Sequence, residues 1–471
     1  MKVQKETNIN MTLKKVLSVA ALSAAVGSVA LVTSCGTSTT KEESKTIVFY
    51  NTAGSALQDV ISTAIEKFEA KFPEYTVTST QVGGYDDVKS KIMTDLTADT
   101  QPDVAYCYAD HVASYLSSET VIDLNSLINN TGTVTTDDGT QQTIGFTSSE
   151  VSDFVSTYYN EGLATNYSSY SRYGYSADSM LTLPFSKSTE VMYYNKTALD
   201  ALGIEVPTTW AEMWAACAKI KTTYPDSAPL VYDSEANWFI TACEQNDWDY
   251  TTTDTTNHYL FNNENTQNFL TELKGYYDLG YFQTATTANV SYTSSLFTAG
   301  IETTCFCIGS SAGASYQQPS NNLFEVGIAP IPGYAKEGSG VISQGPSLVM
   351  FDQNGDNSTL SEKEVMTFQF VKELMDPSFQ SSFSQASGYM PVRTSTYDLD
   401  SYAEFLADTD NIKAVAANVA KSLNAYYYTS AVFNGSATAR TQVGSALVYA
   451  VQGTKTAAEA LADAYKNCGG K

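Results

Sequence analysis

Positive charge is scarce in this chain. Lys and Arg number 26 against 51 Asp and Glu, a formal net charge of −25 over 471 residues. No stretch gathers the basic residues into a patch, so a nucleic-acid partner would meet net repulsion. Histidine is scarcer still, limited to His111 and His258. Cysteine numbers seven, and no spacing among them gives a zinc site or a tight disulfide framework. Cys305 and Cys307, two apart in a strand-like stretch, are expected to share a face and not to bridge each other. Cys107, Cys217, Cys243 and Cys468 read mostly as small buried hydrophobes. There is no internal repeat and no heptad. Outside the N-terminus, no apolar run approaches the roughly 20 residues of a membrane span.

What the chain does have is size and apolar content. Hydrophobic residues make up 43%, enough for a packed core, and 471 residues suit two domains or one two-lobed body. The N-terminus carries Lys14 and Lys15, then an apolar run over 16–32 broken only by small residues, then VTSCG at 32–36. Basic start, short apolar run and small residues before a cut site describe a secretory signal, here 1–34. The VTSC ending resembles a bacterial lipobox, which makes Cys35 the lipidated first residue. Residues 36–45, GTSTTKEESK, read as a flexible tether.

Strand and helix patterns then alternate. Residues 45–51 read as a strand. Leu57, Val60, Ile61, Ala64, Ile65 and Phe68 form one helical face, ended by Pro73. A strand at 76–82, a helix through Val88, Ile92 and Leu96, and a strand at 103–108 follow. This alternation predicts a mostly parallel sheet covered on both faces. Residues 125–180 are rich in Thr, Asn, Ser, Gly and Tyr and read as a loop-rich insertion, with one helix near 151–159. Thr209 and Glu212 have capping-box spacing and predict a helix to about residue 220. Further helices are expected at 268–279, from Ser361 to 374, and at 457–465.

Two motifs invite an enzymatic or metal reading. GSSAG at 309–313 fits the G-x-S-x-G nucleophile elbow, with Ser311 as nucleophile. That pattern wants a His after its Ser, and both histidines precede Ser311. The turn is better read as a hydroxyl- or anion-binding strand-to-helix start at Ser310 and Ser311. Residues 352–364 imitate a calcium loop at three positions, but Asn357 replaces the required Gly and Lys363 the bidentate Glu. No metal or cofactor is expected.

The most specific stretch is LPFSKSTEVMYYNK at 183–196, followed by Leu199, Leu202, Gly203, Pro207, Thr209 and Trp210. GIAPIP at 327–332, QGPSL at 344–348 and SGYMPVR at 387–393 follow in order. Together they resemble the family 1 extracellular solute-binding proteins of bacterial ABC importers, over about residues 46–467. The resemblance implies an α/β, two-lobed periplasmic-binding-protein fold of the type II, maltose-binding-protein-like kind, with crossing hinge strands. It places one discontinuous lobe at 46–186 plus 346–387 and the other at 187–345 plus 388–471. It further implies that ligand binds in the cleft and closes the lobes. Within the family, the sn-glycerol 3-phosphate branch has contact positions that match Tyr85, Ser188, Ser310 or Ser311, Gly345, Tyr389 and Arg440. Its acidic contact has Asp110 as the nearest match. QGPS at 344–347 departs from the branch's usual second crossing, which weakens the transfer.

The residue types suit the chemistry. A phosphate takes a guanidinium fork, hydroxyls and backbone N–H groups. A neutral sugar would stack on Trp238 or Tyr108. The expectation is a monomeric, lipid-anchored, non-catalytic receptor on the outer face of the membrane. It would deliver a carbohydrate or glycerol phosphate to permease subunits. The rivals are an exported serine hydrolase using Ser311 and a two-lobed adhesin or sensor.

Overall fold

The computed structural model describes residues 44–334, 340–355 and 359–470. The signal, Cys35, nearly all of the tether, and Asp356 and Asn357 of the calcium-like loop lie outside the described residues.

The first half begins with β1 (Thr46–Asn51), α1 (Ser55–Lys71), β2 (Thr76–Gln81), α2 (Tyr85–Thr97), β3 (Val104–Cys107) and α3 (Ala109–Tyr115). After the loop-rich stretch comes the two-residue strand β4 (Leu183–Pro184), and the chain crosses to β5 (Glu190–Asn195). There it builds α4 (Trp210–Thr223), β6 (Leu230–Tyr232), α5 (Glu235–Gln245), α6 (Glu264–Asp278), β7 (Phe282–Thr284), β8 (Phe306–Ser310) and β9 (Val326–Pro330). It returns as β10 (Ser347–Met350), α7 (Glu362–Leu374) and α8 (Pro377–Ser387). It then crosses again to α9 (Ile412–Ser422), α10 (Ser436–Val451) and α11 (Ala457–Asn467).

Two five-stranded sheets result, in the orders β2-β1-β3-β10-β4 and β9-β5-β8-β6-β7. Neither is mostly parallel. β10 runs antiparallel to β3 and β4, and β5 runs antiparallel to β8 and β9. The alternation read over residues 45–108 foresaw the parallel pairs β1–β2 and β1–β3; β6–β8 and β6–β7, in a stretch where no alternation was read, are parallel too. It could not foresee strands that enter a sheet from the other half, which have no crossover helix to set their direction. Each sheet has its own core. Phe49, Tyr106, Phe185 and Phe370 anchor one, and Trp210, Trp214, Trp238 and Phe282 the other.

Three segments pass between the halves: 185–189, 343–346 and 388–392. They pair with one another. Ser188 and Gln344 exchange two backbone hydrogen bonds of 2.9 Å, and Lys187 and Met390 exchange two of 3.1 and 2.7 Å. Gly345 has φ +96°, and a Cβ there would lie 2.3 Å from the Ser186 carbonyl oxygen. Only glycine lets the second crossing press this closely on the first.

Two helix starts were legible from their caps, those of α4 at Thr209 and α7 at Ser361. Thr209 Oγ1 accepts from Glu212 N at 3.2 Å, while Glu212 Oε2 accepts from Thr209 N at 3.1 Å. α6 starts earlier than expected because Asn263 caps it, accepting from Thr266 N at 3.1 Å. The expected helix at 151–159 is instead two short turns, Ser148–Ser152 and Ser156–Asn160. Val155 is extended between them, and its N–H is taken by the Val392 carbonyl at 2.9 Å. Cys305 and Cys307 do not share a face. β8 begins at Phe306, so Cys305 lies off the pleat and packs with the tryptophan-rich core, while Cys307 packs against Phe297 and Phe324.

Candidate ligand-binding site

A cavity of about 610 Å³ opens between the two sheets beside the crossings, a size suited to a small-molecule ligand. From the first half, Tyr85 stands at the start of α2, and Tyr108 and Asp110 at the start of α3. From the crossings come Lys187 and Gly345. From the second half comes Arg440, one turn into α10. A second recess of about 430 Å³ shares Glu161 and residues 429–432 with the first, leaving room beyond a glycerol-sized ligand.

The Tyr85 and Tyr108 rings pack with centroids 4.5 Å apart, and the Tyr85 and Tyr389 hydroxyls lie 3.4 Å apart. Burial raises the pKa of all three phenols, so each remains a neutral hydroxyl at neutral pH. His111 stacks edge-on to Tyr108, and burial lowers its pKa against the pull of Asp110. It is neutral near pH 7.

The charged residues differ in how they are committed. Lys187, 3% exposed, meets Glu161 at 2.5 Å, and Glu161 also accepts from the Ser343 hydroxyl at 2.6 Å. That pair joins the first crossing to the second and leaves little of the lysine's charge for a ligand. Asp87 is taken by the Gly84 N–H at 2.8 Å, which caps α2. Arg440 is different. Among the described residues it has no carboxylate in ion-pair reach, and its hydrogen-bond partner is the Asn237 carbonyl oxygen. Its positive field reaches Tyr108, where it opposes the rise caused by burial, and His111, where it adds to the lowering.

Behind Arg440 the chain buries a carboxylate. Glu190 is 1% exposed, accepting from Asn237 Nδ2 at 2.7 Å and from the Tyr232 hydroxyl at 2.5 Å. Burial pushes its pKa up to about 7, although both hydrogen bonds and Arg440 oppose the shift.

The structure therefore brings Tyr85, Tyr108, Asp110, Gly345 and Arg440 to one cavity, with Tyr389 touching Tyr85 from behind. It does not bring the other candidates there. Trp238 is 1% exposed and stacks on Tyr232 and Trp210 at 4.7 and 5.2 Å. No face is left for a sugar, because α5 turns the indole into the core. Ser311 is 0% exposed, its hydroxyl accepting from Thr189 N at 3.3 Å. A buried hydroxyl is neither a ligand contact nor the raised nucleophile of an elbow. His258 is committed elsewhere, stacked on Phe433 with its Nδ1 2.9 Å from the Thr252 carbonyl. Ser188 is buried in the first crossing, its hydroxyl 3.3 Å from that of Ser310, which caps the turn after β8. Lys363, at the would-be calcium position, pairs with Asp103 at 2.7 Å.

Sequence reasoning missed Lys187 and Glu161. Lys187 carried a signal, being the one charged residue in LPFSKST at 183–189. Glu161 lies in the loop-rich insertion, where no periodicity singles out a position.

Two sheets with paired crossings and a cavity beside them define a two-lobed α/β binding protein of the maltose-binding-protein-like kind. The chain belongs to the bacterial extracellular solute-binding proteins, whose family model matches residues 63–414. It is 27% identical over 231 residues to the sn-glycerol-3-phosphate-binding periplasmic protein UgpB of Rhizobium meliloti, spanning 46% of this chain and 51% of that one. With the Escherichia coli K12 protein of the same name it is 24% identical over 181 residues, 38% and 36% of the two chains. The matched stretch thus spans about half the length of these relatives or less. Among solved structures, the GacH receptor of Streptomyces glaucescens, known unliganded and with acarbose, superposes with a TM-score of 0.69. The identity is 18%, covering 90% of this chain and 98% of that one. UgpB of Mycobacterium tuberculosis with glycerophosphocholine gives 0.67 at 19% identity, covering 91% and 98%. Among the described residues no helix is long and apolar enough to cross a membrane.

Proposed function

We propose that this chain is the substrate-binding component of an ABC importer. It takes a carbohydrate or a glycerol phosphate into the cavity and passes it unaltered to permease subunits. The observation that carries the reading is Arg440, a guanidinium without a carboxylate partner among the described residues, facing tyrosine hydroxyls across the cleft. A fixed fork and neutral hydroxyls are what a phosphate or a polyol binds to. Sequence similarity to the glycerol-phosphate-binding relatives supports the phosphate form of the ligand. Release to a transporter needs differential affinity between open and closed lobes and no nucleophile. The protein acts as a monomer. Its lobes divide at 186/187, 345/346 and 387/388, where the crossings pair.

A thermal-shift screen over sn-glycerol 3-phosphate, glycerophosphocholine and neutral oligosaccharides tests the ligand class. A true ligand at 100 times its Kd stabilises by about 2.7 kcal/mol and raises the melting temperature. No rise with any of these compounds would overturn the reading. Anchoring through Cys35 belongs to the same proposal, since several acyl chains on one residue hold a protein stably to a bilayer. Cys35→Ser is expected to move the protein from the membrane fraction to the medium. Unchanged membrane retention would refute the anchor.

A further inference from the structure

We infer that Glu190, through Asn237, is a positioning residue that tunes the grip of Arg440 on an anionic ligand with the uptake of a proton. This rests on the glycerol-phosphate form of the proposed function and adds a regulation to that site. Glu190 touches no ligand. It sits at the start of β5, paired with Ser310 of β8, behind the cavity wall. Asn237 bridges the two charges, its carbonyl oxygen accepting from Arg440 and its amide donating to Glu190 at 2.7 Å.

The relay has a complete hydrogen-bond arrangement in each protonation state. Ionised, Glu190 accepts from Asn237 and from Tyr232. Protonated, it must donate, and its neighbour across 2.5 Å is the Tyr232 oxygen. The tyrosine hydroxyl must then turn elsewhere. Thr241 supplies the acceptor: its side chain is buried and its hydroxyl lies within hydrogen-bond reach of that of Tyr232. A buried hydroxyl at that point, able to donate or to accept, is what the second state requires.

The charged and titratable groups facing Glu190 are few. Arg440 comes from α10, Tyr232 from β6 and Asp233 from the residue after β6, where Thr293 already satisfies it through its N–H at 2.7 Å and its hydroxyl at 2.9 Å. The ionised carboxylate partly balances Arg440. A ligand phosphate arriving at Arg440 places a second negative charge near the first. Binding is therefore tighter when Glu190 is protonated, and by linkage the ligand draws a proton onto it. With its pKa held at about 7, the change falls in the neutral range.

The test is the affinity for sn-glycerol 3-phosphate between about pH 6 and about pH 8.5, in wild type, Glu190→Gln and Asn237→Leu. Glutamine imitates the protonated acid, and leucine cuts the relay while leaving Glu190 in place. Wild-type affinity should fall by about fivefold more than that of either variant as pH rises. The ligand's own titration is common to all three and cancels. Calorimetry in buffers of different ionisation enthalpy should show more proton uptake on binding in wild type than in either variant. Parallel pH profiles with sound binding would overturn this inference and leave the proposed function standing. Absence of sn-glycerol 3-phosphate binding by wild type at any pH would overturn both the phosphate reading and the inference.

Discussion

Arg440→Ala is expected to weaken binding of a phosphorylated ligand by about 100-fold, with the melting temperature of the ligand-free protein nearly unchanged. A charge-assisted hydrogen bond contributes about 1.5–3 kcal/mol, and a guanidinium can make two to one phosphate. One hundredfold is about 2.7 kcal/mol. The net charge of −25 sharpens the expectation, since little else in the cavity offsets it: Lys187 is engaged by Glu161, and Asp110 faces the same space. Arg440→Lys should recover only part of the loss, because an ammonium supplies charge without the fork. Calorimetric titration reads both variants. Affinity within about threefold of wild type for Arg440→Ala would remove the phosphate assignment.

Trp238→Ala carries the largest expected cost in stability, about 4 kcal/mol of unfolding free energy. The indole is sealed between Tyr232 and Trp210 and meets Phe282 edge-on with centroids 4.9 Å apart. Removing it leaves a cavity that this rigid aromatic stack cannot collapse to fill. Denaturant titration measures the loss. Trp238→Phe should recover much of the stability and leave ligand affinity within about threefold of wild type. Intact stability with abolished binding in Trp238→Ala would return the residue to the role of a stacking platform.

These two residues show what the sequence made legible and what it hid. Arg440 matches a contact position of the sn-glycerol 3-phosphate branch in sequence, and the structure places it at the cavity wall. Trp238 was singled out for its chemistry alone. A large aromatic side chain is drawn to the core unless something holds it outward, and α5 is buried continuously from Asn237 to Cys243. The Ser-Gly turn misled in a related way. Its strand-turn-helix pattern is real, but local pattern does not report depth, and Ser311 is enclosed.

Fold was more readable than site. The helices at 55–71, 210–223, 362–374 and 457–467 follow from periodicity and caps, which are local. Strand direction depends on which half a strand arrived from, and that is settled by the three crossings. The Lys187–Glu161 pair and the Glu190–Asn237–Arg440 relay join residues 26 to 203 positions apart. Contacts that distant exist only once both sheets are built.

Native mass spectrometry of the protein with a thermally selected ligand tests the central claim most directly. One intact ligand per chain, its mass unaltered, should be retained by wild type. It should be lost both from Tyr85→Ala, changed in the first half, and from Arg440→Ala, changed in the second. A ligand chemically altered, or retained by both variants, would contradict the account.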